Sequence, residues 1–307
     1  MRCNFMSIPI IDLSQFQISN QVRRQNVVKN IYQACHEIGF MYIQNSGISP
    51  DLLEQVFSAS KSFFDSPLAV KEQLAWNNEF INTGYVGLER EHLNPNQPGD
   101  LKEAFNIKND IIINNFSSPI LLTNNPVIST FYNACTELAN TVLQAFALAL
   151  ELPEYFFTTR HNQKNHTLRL LHYPPLQTSP KPGQVRAGEH SDYGSLTLLF
   201  QHAVGGLEVQ TTRKEWIAAP LIPGMVLVNT GDLMQRWTNH IFCSTKHRVM
   251  IPNDERVKKS RYSIAFFCHP NDDTEIACLE SCSQRQSPIY PPILAGEYLL
   301  SSLQLTY

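Results

Sequence analysis

His190-Ser191-Asp192-Tyr193-Gly194-Ser195-Leu196-Thr197-Leu198-Leu199-Phe200 couples a polar triplet to an apolar run. Residues 195–201 have the length and composition of a strand, and Gly194 just ahead of them is a turn residue. In an extended chain, residues two apart face the same side, so an imidazole at 190 and a carboxylate at 192 can aim at one point. The spacing by itself proves little. Ten histidines and ten aspartates among 307 residues yield roughly 0.3 His-x-Asp pairs by chance. An exposed polar turn would read the same way, so the weight must come from the surroundings.

Outward from this stretch, β-rich runs at 167–173, 207–211, 225–229, 244–251 and 262–268 are separated by Gly, Pro and Asn. That spacing predicts a sandwich or barrel instead of a βαβ sheet, and a jelly roll fits the number of runs. The first half reads helical. Val27, Val28, Ile31, Cys35 and Ile38 recur at three- and four-residue steps and predict a helix over 22–38. Gly39 ends it, and 40–43 reads as a strand. A longer helix is predicted over 127–152, with Phe131, Cys135, Leu138, Val142, Phe146 and Ala149 on one stripe and Pro153 beyond its end. Helices feeding a β-rich half make an α+β chain whose helices pack on the sheet. No Gly/Ser linker divides it, so 1–307 is expected to form one unit.

With 43% hydrophobic and 17% charged residues, the composition is that of an ordinary globular protein. A net charge of -3 gives no basic field, so nucleic acid and anionic membrane surfaces are not expected as partners. The dense basic stretch at 256–261 reads as a solvated loop. Residues 1–6 lack the roughly 7–15-residue apolar segment of a signal peptide, and no run approaches the ~20 apolar residues of a membrane span. Seven cysteines are scattered without a Cys-x-x-Cys pair, which favours reduced thiols and a cytoplasmic location. A small-molecule substrate is the expected partner.

Downstream of His190 and Asp192 lies Ser244-Thr245-Lys246-His247-Arg248-Val249, in a second strand-like run. Two histidines and one carboxylate can occupy one face of an octahedral metal and leave the opposite positions open, as non-haem iron(II) oxygenases require. Arg261-Tyr262-Ser263 is the third signal, with Arg and Ser again two apart. If 252–259 closes a hairpin centred near Asp254, residues 247 and 261 each lie seven from its tip and oppose one another. A guanidinium there suits a planar carboxylate, which Arg binds bidentately. The competing reading is a core arginine paired with an acid.

Taken together, these residues resemble a known family. Ile8-Pro9-Ile10-Ile11-Asp12-Leu13-Ser14 is one of its openings, followed by Gly39-Phe40, Asn45-Ser46-Gly47-Ile48, Gly84-Tyr85 and Lys102-Glu103-Ala104-Phe105. Leu168-Arg169-Leu170-Leu171-His172-Tyr173-Pro174-Pro175, the His190 and His247 segments, Asn229-Thr230-Gly231-Asp232, Arg261-Tyr262-Ser263 and Tyr290-Pro291-Pro292 continue it. The chain resembles the isopenicillin-N-synthase-like branch of the 2-oxoglutarate/Fe(II)-dependent dioxygenases over nearly its full length. The resemblance implies a double-stranded β-helix, a jelly-roll variant, braced by helices. It implies an N-terminal dioxygenase region at 8–115, a core at 165–270, and a C-terminal segment at 271–307 packing on that core.

His190, Asp192 and His247 would then be the Fe(II) ligands and catalytic centre. Arg261 and Ser263, helped by the Tyr173 hydroxyl, would bind the distal carboxylate of the cosubstrate 2-oxoglutarate. Family position and strand direction suggest Tyr85, Leu171, Arg186, Leu207, Phe266 and His269 as substrate-pocket residues. Asn229, Gly231 and Asp232 are expected to shape a turn, and Arg169 either to be core, the favoured reading, or to meet an acidic substrate. Leu171 is a departure, since many plant members carry Asn there. The implied reaction uses O2 to hydroxylate, desaturate or cyclise a small organic molecule, releasing succinate and CO2.

Three other readings share parts of this pattern. An oxidase resembling isopenicillin N synthase or aminocyclopropanecarboxylate oxidase would hold a different carboxylate at Arg261. A non-catalytic jelly-roll binding protein would keep the pocket alone, but an intact triad together with an intact Arg-x-Ser argues against it. A zinc hydrolase would need a general base that no motif supplies.

Overall fold

Strand alternation and three amphipathic helices build the layers. A computed structural model of the chain describes residues 7–17, 19–76, 78–94, 97–109, 125–284 and 286–306. The first part holds β1 (Ile10–Asp12), α1 (Gln21–Glu37), β2 (Phe40–Gln44), α2 (Pro50–Phe64), α3 (Leu68–Glu72), β3 (Gly84–Val86) and β4 (Glu103–Lys108). After α4 (Pro126–Ala149) come β5 (Thr167–Tyr173), β6 (Ala187–His190), β7 (Leu196–Gln201), β8 (Leu207–Gln210), β9 (Trp216–Ala218) and β10 (Val226–Thr230). Then follow α5 (Asp232–Trp237), β11 (His247–Val249) and β12 (Arg261–Cys268). The C-terminal part adds β13 (Glu275–Ile276), α6 (Glu280–Ser283), β14 (Ile293–Leu294) and α7 (Ala295–Thr306).

The helices start where the chemistry says they should. Asn20 caps α1 by accepting from the Arg23 amide, and Asn125 caps α4 by accepting from Val127 ahead of a Pro at the first turn. Predicted and observed bounds of both helices agree to within a few residues. Among the described residues no helix is long and apolar enough to cross a membrane.

Eight strands form one sheet in the order β1-β2-β10-β7-β12-β5-β4-β3, and four form a second in the order β6-β11-β8-β9. From β5 to β12 the chain passes back and forth between the two, the winding of a double-stranded β-helix. Period-two alternation then sorts the side chains. In β12, Tyr262, Ile264, Phe266 and Cys268 join the core that contains α1, α2 and α4, while Ala265 joins a second cluster between the sheets. Each fully buried Ile or Phe of the helix-side layer contributes about 1.5–3 kcal/mol of transfer free energy. That layer carries the stability and leaves the inner face free to be polar.

The hairpin expected at 252–259 does not form. β11 and β12 belong to different sheets: His247 pairs with His190 and Val209, and Arg261 pairs with Tyr173. A 3-10 turn at Glu255–Lys258, begun by the Asp254 side chain accepting from the Arg256 amide, carries the chain across instead.

One buried histidine ties the helical layer to the turn beside the site. His161 Nδ1 donates to the Phe157 carbonyl at 2.7 Å, and Nε2 accepts from the Ser195 hydroxyl at 2.9 Å, a pairing that needs the neutral ring. Burial pushes its pKa down from 6.5 to about 4. Between those values the unfolded chain binds the extra proton, so stability from this group is complete above pH 6.5 and lost as pH falls toward 4. Thermal melts across that window should show a steep loss in the wild type and a shallower one in His161→Gln. Equal slopes would remove His161 from the effect.

Candidate active site

His190 ends β6 and His247 begins β11, directly opposite one another, with ring centroids 4.2 Å apart. Each ring is turned by its own backbone. His190 Nδ1 donates to the Gly188 carbonyl at 2.7 Å, and His247 Nδ1 donates to the Thr245 carbonyl at 3.1 Å. A carbonyl only accepts, so the proton sits on Nδ1 and both Nε2 lone pairs are presented to a common point.

Asp192 arrives from the turn beyond β6, since the strand stops at His190. Its Oδ2 accepts from Thr197 Oγ1 at 2.6 Å and Asn229 Nδ2 at 2.7 Å. That leaves Oδ1 facing the histidines, 3.6 Å from His247 Nε2 and 4.0 Å from His190 Nε2. The turn packs closely against its neighbours. A Cβ on Gly231 would lie 2.8 Å from the Asp192 carbonyl oxygen, and one on Gly194 would lie 2.6 Å from His269 Nδ1. Asn229 therefore does more than shape a turn.

Burial raises the Asp192 carboxyl, but His247 and His190, then the Asn229 and Thr197 hydrogen bonds, outweigh it and its pKa is lowered. Burial, then the neighbouring His247, pushes His190 down to about 3. Carboxylate and neutral imidazole are the forms that ligate a metal. The ligand atoms of these three residues all lie within 4.8 Å of one another, and among the described residues no other group of His, Cys, Asp or Glu offers a metal such a set. Two imidazoles and one carboxylate on one side of an open cavity fit a ferrous ion.

The cavity has a volume of about 370 Å³. At its inner end Arg261, 1% exposed, donates through Nε to the Gly205 carbonyl at 2.9 Å, through Nη1 to Ser263 Oγ at 3.3 Å and through Nη2 to Gln201 Oε1 at 3.3 Å. Its guanidinium lies 4.5 Å from the centroid of the Tyr173 ring. All these acceptors are neutral, which leaves its charge without a counter-ion among the described residues.

Of the six expected substrate-pocket residues, Leu171, Leu207 and His269 line the cavity. Tyr85, Arg186 and Phe266 do not. Tyr85 lies in the helix-side core, with its hydroxyl donating to Glu103 Oε2 at 2.5 Å. Phe266 has the wrong parity: counting from Arg261, the inward positions of β12 are 263, 265 and 267, and Phe266 packs instead on Tyr132 with ring centroids 5.2 Å apart. Arg186 precedes β6, and its guanidinium turns toward the Val257 and Lys259 carbonyls.

Sequence reasoning missed other lining residues. Arg169, for which the sequence favours core over a substrate-facing position, faces the cavity from β5 and donates to Glu91 Oε1 at 2.6 Å. Lys102 holds Glu91 Oε2 at 3.0 Å and is also paired with Asp100. Two cations balance two carboxylates in this cluster. Asn106 and Phe267 follow from the inward parity of β4 and β12, and Leu299, Leu300 and Leu303 of α7 cover the outer end. Nothing in the local sequence marks that last helix as a wall.

A double-stranded β-helix with a cluster of two imidazoles and one carboxylate on its cavity is the architecture of a mononuclear non-haem iron oxygenase. Residues 8–119 match the family described as non-haem dioxygenase in morphine synthesis N-terminal, and residues 164–270 match the 2OG-Fe(II) oxygenase superfamily. The chain belongs to the 2-oxoglutarate/Fe(II)-dependent oxygenases, enzymes that use Fe(II), 2-oxoglutarate and O2.

Among its relatives is 2-oxoglutarate-dependent dioxygenase htyE of Aspergillus rugulosus, 31% identical over 90% of this chain and 92% of that one. A full-length Neurospora crassa protein, solved in complex with alpha-KG and thymine, superposes with a TM-score of 0.88 at 32% identity, over 100% of this chain and 99% of that one. A 1-aminocyclopropane-1-carboxylate oxidase of Dictyostelium discoideum is 29% identical over 88% of this chain and 84% of that one.

Proposed function

We propose that His190, Asp192 and His247 hold the Fe(II), and that Arg261, Ser263 and Tyr173 hold the far carboxylate of 2-oxoglutarate. The convergence of two Nε2 atoms and one carboxylate oxygen on a single point carries this reading. Bound there, the metal and its cosubstrate supply the oxidising chemistry: one oxygen atom of O2 goes to the substrate and the other to succinate, with loss of CO2. The chain's own part is geometry. Backbone carbonyls fix the imidazole tautomers, Thr197 and Asn229 fix Asp192, and the guanidinium of Arg261, bonded to neutral acceptors, selects an anion at the inner end.

The substrate is proposed to be a small, neutral, polar molecule such as a pyrimidine base. Three observations support this. The charged cluster of Glu91, Asp100, Lys102 and Arg169 is balanced, so it offers no free charge to an ionic substrate. The Neurospora crassa protein, similar over the whole chain, was solved with thymine. Asn106 supplies a fixed acceptor. The Trp76 indole N–H, a donor only, donates to Asn82 Oδ1 at 3.0 Å, and Asn106 Nδ2 donates to that same oxygen at 2.8 Å. This orients the Asn106 amide and leaves its Oδ1, buried in the cavity wall, without a donor among the described residues. A substrate N–H or O–H would satisfy it.

Asn106→Leu should lower kcat/KM by about 5- to 150-fold, the cost of leaving a substrate donor unpaired. The effect should fall on KM, with 2-oxoglutarate affinity unchanged. A variant with wild-type KM would exclude Asn106 from recognition. Screening thymine, uracil and related lactams for succinate release tests the function itself. Product formed without succinate would place the chain with the oxidases instead.

A further inference from the structure

Arg186 and Arg261 head the fully buried side chains, at 0% and 1% exposure. Among the described residues, both donate only to neutral acceptors. Arg261 bonds a carbonyl, a hydroxyl and an amide oxygen. Arg186 reaches the Val257 and Lys259 carbonyls through Nη2 at 3.5 and 3.4 Å, and its Nε and Nη1 have no protein acceptor. Its backbone N–H bonds the Val249 carbonyl at 3.1 Å, and the loop its guanidinium touches runs directly into Arg261. Burial, and next the charge of Arg261, lowers the Arg186 pKa, while Tyr173 acts in the opposite sense. Lys259, whose carbonyl Arg186 reaches at 3.4 Å, lies two residues before Arg261, so the two cations share one stretch of backbone.

We propose that Arg186 is a second cation of the 2-oxoglutarate site, a positioning residue that acts on the distal carboxylate through Arg261 and Tyr173. This rests on the assignment of Arg261 as the anchor. Burying two guanidinium groups with only neutral acceptors costs folding free energy. An anion seated against Arg261 lowers the energy of both. Arg186 does not line the cavity, so its contribution is field instead of contact. The site is thereby biased toward 2-oxo acids with a second carboxylate.

The test is binding and melting, not turnover. Metal-loaded wild type, Arg186→Met, Arg186→Lys and Arg261→Met are titrated anaerobically with 2-oxoglutarate and with 2-oxopentanoate, which has the same chain length but no distal carboxylate. Arg186→Met should weaken 2-oxoglutarate by about tenfold and leave 2-oxopentanoate within about twofold. Arg186→Lys should restore much of the loss. Ligand-free Arg186→Met should melt higher than the wild type, because an uncompensated buried charge is gone.

Unchanged 2-oxoglutarate affinity in Arg186→Met, with a lower melting temperature, would make Arg186 a strap for the 252–259 loop and overturn the proposal. Equal weakening of both oxo acids would overturn it too. If Arg186→Met does not fold, Arg186→Lys decides: it keeps 2-oxoglutarate affinity within a few-fold if the charge matters, and loses it if only the arginine's shape does. Wild-type affinity in Arg261→Met would instead sink the anchor assignment.

Discussion

Asp192→Ala is expected to abolish stoichiometric Fe(II) binding and all turnover while the protein stays folded. The carboxylate is the only acidic member of the metal-ligating group, and removing it leaves two neutral imidazoles to hold a dication. Losing an outer hydrogen-bond partner of a metal ligand costs roughly 10–100-fold in affinity, and losing the ligand itself must cost more. Folding should survive, because Asp192 sits in a turn and removing it leaves Thr197 and Asn229 to pair with water or each other. Metal analysis of the purified variant beside its melting curve checks both halves. One equivalent of tightly held iron in Asp192→Ala would show that the metal lies elsewhere.

Arg261→Ala should leave iron binding intact and weaken 2-oxoglutarate severely. Truncating one partner of a buried charge pair costs about 2–5 kcal/mol, or roughly 30- to 5,000-fold in Kd. The guanidinium is already fixed by Gly205, Ser263 and Gln201 and backed by Tyr173, so little ordering remains to be done on binding. A 2-oxo acid without the distal carboxylate should bind wild type and variant alike. Equal loss for both acids would point to a collapsed cavity.

The positions that converge on the cavity were legible where chemistry and strand parity act locally. His190, Asp192 and His247 stood out as a metal-ligating set, and Arg261 and Ser263 as an inward pair. The same parity rule, carried along β12, reaches Ala265 and Phe267 and excludes Phe266. Tyr85 and Arg186 lie outside the cavity lining for another reason: which face a short strand or a loop residue presents depends on its partners. The hairpin through Asp254 failed because seven residues on either side of a tip do not decide whether a loop folds back or crosses between sheets. Glu91 comes from a loop and α7 from the chain's end, brought to the cavity by long-range packing alone. Asn106 became readable only once Asn82 and Trp76 fixed its amide.

If the triad and Arg261 grip opposite ends of one keto acid, metal and 2-oxoglutarate must bind cooperatively, each tightening the other by the same factor. Anaerobic titration of 2-oxoglutarate into the protein with and without one equivalent of Fe(II) measures that coupling. Affinity at least about tenfold higher with the metal, a coupling of about 1.4 kcal/mol, is the expected result. Identical affinity in its presence and absence would mean that the two ends do not share a ligand.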